Sequence, residues 1–104
     1  MTDTIVVNVA NDFSRFPSGR TPHDSAFSGK SFRQKHLTPH LKLGKSVRVE
    51  LDGPIGYGSS FLEEAFGGLV REDGFDLNTV RRRIELVSYD TALIDEIWSY
   101  LVAQ

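Results

Sequence analysis

The chain has 104 residues, a formal net charge of -2 and no cysteine, which excludes disulfides, thiolate metal sites and a thiol nucleophile. A hydrophobic fraction of 39% and a charged fraction of 25% describe an ordinary globular domain, here spanning residues 1–104, and the acidic balance gives no positive field for nucleic acid. No stretch reaches the roughly 20 apolar residues of a membrane span, and Met1-Thr2-Asp3-Thr4 lacks the basic and apolar run of a signal peptide, so a cytoplasmic protein with no membrane contact is expected.

Ile5, Val7 and Val9 alternate with Val6, Asn8 and Ala10, which predicts a first strand over about 4–10. Residues 11–28 are rich in turn formers, including Pro17, Gly19 and Pro22, and read as a long loop with room for a short strand near 12–15. Ser28 is placed to cap a helix running to about His36, with Phe32 and Leu37 as core contacts and Pro39 and Gly44 as punctuation. Val47, Val49 and Leu51 alternate with Arg48, Glu50 and Asp52, the pattern of a strand with one wet face.

Phe61, Leu62, Ala65, Phe66, Leu69 and Val70 form the broad apolar stripe of a helix. Gly67 and Gly68 interrupt it at about 1 kcal/mol each relative to Ala, which points to close backbone packing or an early loosening of the helix. Asp76 to Arg82 predicts a helical turn, Ile84 and Leu86 mark a further strand, and Asp90 is a cap for a last helix carrying Leu93, Ile94, Ile97, Trp98 and Leu101. Strands alternating with helices predict an α/β domain. The amphipathic strands predict a small two-layer open sandwich: a mainly parallel or mixed sheet of about four strands with helices mostly on one face.

The run Leu51-Asp52-Gly53-Pro54-Ile55-Gly56-Tyr57-Gly58-Ser59-Ser60-Phe61-Leu62-Glu63-Glu64 is the main site candidate. Gly53, Gly56 and Gly58 allow another molecule to approach the backbone. Two serines then stand at the start of a helix, where unpaired N–H groups favour an anion. Ser60-Phe61-Leu62-Glu63 also fits a capping box, with Ser60 as a cap contributing about 1 kcal/mol. Phosphorylation there would add about -1.5 to -2 charges, opposed by Glu63 and Glu64 one turn on.

Phe13-Ser14-Arg15-Phe16-Pro17-Ser18-Gly19-Arg20 is a second candidate, because Arg15 and Arg20 on one loop suit a phosphate or carboxylate clamp. The plain alternative is that the two phenylalanines anchor the loop and the arginines are solvated. His23, His36 and His40 match no zinc spacing, so no metal and no cofactor is expected. A hydrolytic triad of Ser59 or Ser60, a histidine and Asp52 lacks the second glycine of the nucleophile elbow, where Phe61 stands. Arg81-Arg82-Arg83 reads as a solvated basic run leading into a strand.

Arg15-Phe16-Pro17-Ser18-Gly19-Arg20, Ser31-Phe32-Arg33, Val49-Glu50-Leu51-Asp52-Gly53 and the block from Gly56 to Leu69 together resemble the STAS-like domain of unknown function found in prokaryotes. That family is in turn similar to STAS domains, including the anti-sigma factor antagonists. In those, an Asp-Ser-Ser-Gly-Leu motif joins a strand to a helix and an ATPase-type kinase phosphorylates a serine. Gly58-Ser59-Ser60-Phe61-Leu62 matches at both serines and the leucine, with Ser60 at the acceptor position. Gly58 replaces the aspartate and Phe61 the glycine.

The resemblance implies a non-enzymatic, partner-switching signalling module. Ser60 and Ser59 are its phospho-acceptor candidates, and its protein partner is of the histidine-kinase-like ATPase kind. Arg15, Ser18, Gly19, Arg20, Asp52, Gly56, Tyr57, Gly58, Phe61, Glu63 and Glu64 are then candidates for the binding surface. The alternative is an anion- or nucleotide-binding module, with the ligand held between the Ser59/Ser60 helix start and the Arg15–Arg20 loop.

Overall fold

The computed structural model describes residues 3–104. Three strands, β1 (Thr4–Asn8), β2 (Ser46–Glu50) and β3 (Ile84–Val87), form a sheet of order β1-β2-β3 in which both pairings are parallel. Val7 lies level with Val49, and Val49 with Leu86, so the inward rows run straight across the sheet. Right-handed crossovers, the rule for parallel units, put both connecting segments of a sheet in this order on one face. Burial agrees: Val7, Val47, Val49 and Ile84 are buried, whereas Val6, Arg48 and Glu85 on the opposite face are exposed. The architecture is the expected open α/β sandwich, with three strands among the described residues where about four were expected.

The segment with room for another strand, near 12–15, follows a wide helical turn instead. Val9–Phe13 is closed by a 2.8 Å bond from the Ser14 N–H to the Val9 carbonyl. Polar side chains decide this. The Asn8 side chain accepts from the Asn11 N–H at 3.0 Å and the Asp12 carboxylate accepts from the Asn8 N–H at 2.7 Å, so β1 ends at Asn8 and not at 10.

Helix α1 covers residues 29–42 as one continuous run: Gly29–Phe32, a π turn over Arg33–Leu37, and Thr38–Lys42. Ser28 caps it through a 3.2 Å bond from the Ser31 N–H. Pro39 does not stop the helix near His36, because the π turn just before it shifts the ladder so that the Thr38 N–H bonds to the Arg33 carbonyl. Gly44, at φ +78, ends the run. Helix α2 covers residues 59–71 in the same style, with a π turn over Glu63–Gly67. Helix α3 (Leu77–Arg83) is capped by Asp76, and α4 (Thr91–Val102) by Asp90.

The two glycines of α2 mark close packing. A Cβ on Gly68 would lie 2.7 Å from the Arg33 Cζ, and one on Gly67 would lie 2.8 Å from the Gln104 Nε2. From the α1 side, a Cβ on Gly29 would meet the Phe61 carbonyl and lie 3.0 Å from the Ala65 nitrogen. The helices thus cross with backbone against backbone.

Gly29→Ala is expected to destabilise the fold by about 1–3 kcal/mol, because the obstructing atoms are backbone. Alanine's intrinsic advantage in a helix, about 1 kcal/mol, has the opposite sign. Gly56→Ala, with no atom within 4 Å of the new Cβ, is the control and should stay within about 0.5 kcal/mol. Denaturant unfolding of both variants decides; a Gly29→Ala protein as stable as the parent would refute the close crossing.

Candidate functional site

All loops that follow strands gather at the C-terminal edge of the parallel sheet. The segment from 51 to 58 is held there by its own side chains. The Tyr57 hydroxyl donates to the Leu51 carbonyl at 2.6 Å, and its ring lies 5.9 Å from that of Phe61. Burial, reinforced by Asp52, pushes the Tyr57 phenol well above its ordinary value. Gly53 takes φ +123, and a Cβ there would lie 2.7 Å from the Ala10 Cβ. Asp52 ties this loop to the one after β3: its carboxylate accepts from the Ser88 hydroxyl at 2.7 Å and from the Tyr89 N–H at 3.0 Å.

Helix α2 then begins at Ser59, with Gly58 as its N-cap and no side-chain cap bond. The capping box expected from Ser60 and Glu63 does not form. Ser60 lies one residue inside the helix, and the Leu62 N–H bonds to the Gly58 carbonyl at 3.1 Å. Ser59 and Ser60 are both exposed, and neither hydroxyl bonds to a protein group among the described residues.

Glu63, released from capping, points into a charge network. Arg20 and Arg71 each pair with it, and Gln104 donates to it at 2.8 Å. Glu64 is buried; it accepts from Arg33 at 2.6 Å, from Arg71 at 3.2 Å and from Arg20 at 3.3 Å. Arg33 is only 2% exposed. Its guanidinium also donates to the Glu64 backbone carbonyl, and its Nε faces the Asp73 carboxylate at 3.2 Å, off the angle of a hydrogen bond. The π turn makes this possible, because the Gly68 N–H, which an α-helix would direct to the Glu64 carbonyl, goes to that of Glu63.

The two arginines of the 15–20 loop differ. Arg20, one of the two arginines of the anion-clamp reading, pairs with Glu63 and Glu64. Gly19, at φ +80, makes a tight turn against Asp24, whose carboxylate accepts from the Arg20 N–H at 3.0 Å, and Ser18 bonds to Ser25 and to the Phe27 carbonyl. Arg15 is exposed, and its carbonyl accepts from the Ile55 N–H at 3.2 Å, which brings Phe16 and Ile55 to the same side of the domain. Of the candidate surface residues, Arg15, Ser18, Asp52, Gly56, Gly58, Ser59 and Ser60 are exposed. Phe61 and Glu64 are turned inward, Phe61 into an aromatic cluster with Phe13 and Phe32, which removes both from any contact surface.

His36 also packs on Phe13 and Phe32, with ring centroids 5.7 and 5.5 Å away, and burial pushes its pKa down. Asp52 bonds to Ser88 and Tyr89, and no histidine bonds to it among the described residues. Sequence reasoning missed the importance of Arg33, Arg71 and Gln104. An arginine beside the core position Phe32, and two adjacent glycines in the facing helix stripe, of which Gly68 meets Arg33 and Gly67 meets Gln104, were the available signal.

Burial raises the Glu63 and Glu64 pKa values, and the bonds from Arg71 and Arg20 to the one and Arg33 and Arg20 to the other outweigh it, holding both carboxyls below the ordinary value of 4.5. A depressed folded pKa gives stability that is complete above 4.5 and is lost as pH falls from there through the folded values. Acid titration of stability should show this loss, and Glu64→Gln should flatten it while lowering stability at neutral pH. A variant whose stability profile parallels that of the parent below pH 4.5 would show that the network is not coupled to folding.

No curated protein and no solved structure matches the chain. One family profile matches residues 28–92, a span that begins at the cap of α1, contains the Arg33–Glu64 pair and both serines, and ends at the start of α4. The chain belongs to that family, the STAS-like domain of unknown function (DUF4325).

Proposed function

We propose that this domain is a non-catalytic regulatory module that binds a protein partner through the edge formed by residues 53–60, and that phosphorylation of Ser60 switches the binding. The observation that carries this reading is the state of the serines. Both hydroxyls are exposed at the start of α2 and are not consumed as caps. Beside them the loop presents Ile55, 82% exposed, and the neighbouring segment presents Phe16, 64% exposed. Apolar side chains held out on a tethered loop are the material of a contact surface.

The electrostatics support the acceptor role. A phosphoryl group brings about -1.5 to -2 charges, which a helix N-terminus accommodates. Glu63 and Glu64 would oppose it, but Arg20, Arg33 and Arg71 pair with those carboxylates. The switch therefore changes the outer surface without breaking the core network. By kinship of the family with STAS domains, the kinase and partner are of the histidine-kinase-like ATPase class, acting in the cytoplasm. A non-catalytic role is supported by Asp52 and His36 being occupied in structural contacts.

Intact-mass analysis of the protein from its native host, with fragment mapping of residues 46–71, should find a phosphate on Ser60. Ser60→Asp, at an exposed position, should keep its stability within about 0.5 kcal/mol and lose or redirect the partner that the parent protein captures. An unmodified chain under several growth conditions, or a Ser60→Asp protein with unchanged partners, would overturn the switch.

A further inference from the structure

The opposite edge of the sheet, where the strands begin, plays no part in the reading above. It holds a hollow of about 480 Å³ lined by Thr4, Ser46, Arg81, Arg82, Arg83 and Trp98, together with Glu85. We propose that this hollow binds a phosphate-bearing ligand of mononucleotide size.

Charge is the first argument. Arg81, Arg82 and Arg83 are consecutive on the last turn of α3 and form no ion pair among the described residues. Arg83 donates to the Gly44 carbonyl, which anchors the end of the run against the turn before β2. Glu85, the carboxylate on the wall, is held by Arg48 at 3.0 Å. The contrast within the molecule is informative. At the other arginine cluster, Arg20, Arg33 and Arg71 are all met by carboxylates, whereas here three arginines border one hollow with no carboxylate paired to them among the described residues, in a chain whose net charge is -2. Basic side chains suit a helix C-terminus, but that interaction contributes only about 0.3–1 kcal/mol each and does not require three in succession.

The chemistry of the wall is the second argument. Planar guanidinium groups are matched to phosphate oxygens by paired N–H donors. Trp98, half-buried, offers an aromatic surface for a ring, and the hydroxyls of Thr4 and Ser46 supply neutral hydrogen-bonding groups. The volume falls within the range of about 300–1,000 Å³ typical of small-molecule sites. Phosphate recognition by arginine, a ring on an aromatic and a hydroxyl-lined wall together fit a nucleoside monophosphate better than a bare anion.

Trp98 is the sole tryptophan of the chain, so its fluorescence reports directly from the wall of the hollow. Titration of the full chain with adenosine monophosphate should give a saturable change in that fluorescence. The Arg81→Ser/Arg82→Ser variant, altered only at exposed positions, should weaken half-saturation about tenfold or more while staying folded at the titration temperature. Inorganic phosphate should bind more weakly than the nucleotide. No saturable response, a double variant that responds like the parent, or inorganic phosphate binding as tightly as adenosine monophosphate would each overturn the proposal. The state of Ser60 is read separately, so failure here leaves the partner-switch reading standing.

Discussion

A buried cation organises the helical layer. Taking a guanidinium out of water costs several kcal/mol unless its donors are met, and Arg33 lies almost wholly inside. The Glu64 carboxylate, the Glu64 carbonyl and Asp73 surround it, so three points of α2 and its following turn are fixed relative to α1. Such a pair is a weak source of net stability, because an apolar pair of similar volume avoids the desolvation cost. Its bonds have direction, however, and leucine contacts do not. The backbone of α2 adapts to it: Gly68 leaves the space that the guanidinium fills, and the π turn changes the partner of the carbonyl that receives it.

From that centre the charges step outward. Glu64 faces Arg33 inside and Arg20 and Arg71 nearer the surface; Glu63 continues the series to Gln104 at the chain's end. The loop of residues 18–28 is therefore strapped to α2 by Arg20, and α4 is tied to the same helix by Gln104. Helix α2 is the element on which the 15–20 segment, the 51–58 loop and the last helix all converge.

Parallel topology explains why the two candidate surfaces are so different. Every strand points the same way, so every strand-to-helix loop lies at one edge and every helix-to-strand turn at the other. The first edge collects glycines, serines and the tethered apolar tips Phe16 and Ile55. The second collects helix C-termini, and with them the basic ends Lys42 and Arg81 to Arg83.

Much of this fold was legible in the sequence because its signals are local. Alternation in Val47-Arg48-Val49, the caps Ser28, Asp76 and Asp90, and the stripe from Phe61 to Val70 each depend on residues a few positions apart, and each predicted element formed. The strand count was less legible, because the turn after β1 is decided by whether Asn8 and Asp12 bond to the backbone, a competition that composition does not resolve. Pro39 misled because a π turn precedes it, with the Thr38 N–H bonded to the Arg33 carbonyl, and the helix runs on to Lys42. The site divides along the same line. By itself, the sequence determined that two serines follow a glycine-rich loop into a helix. Only the tertiary structure decided that Glu63 pairs with Arg20 across 43 residues of chain instead of closing a capping box with Ser60. Capping and apolar periodicity are short-range, whereas the partner of a charged side chain is set by which elements pack together.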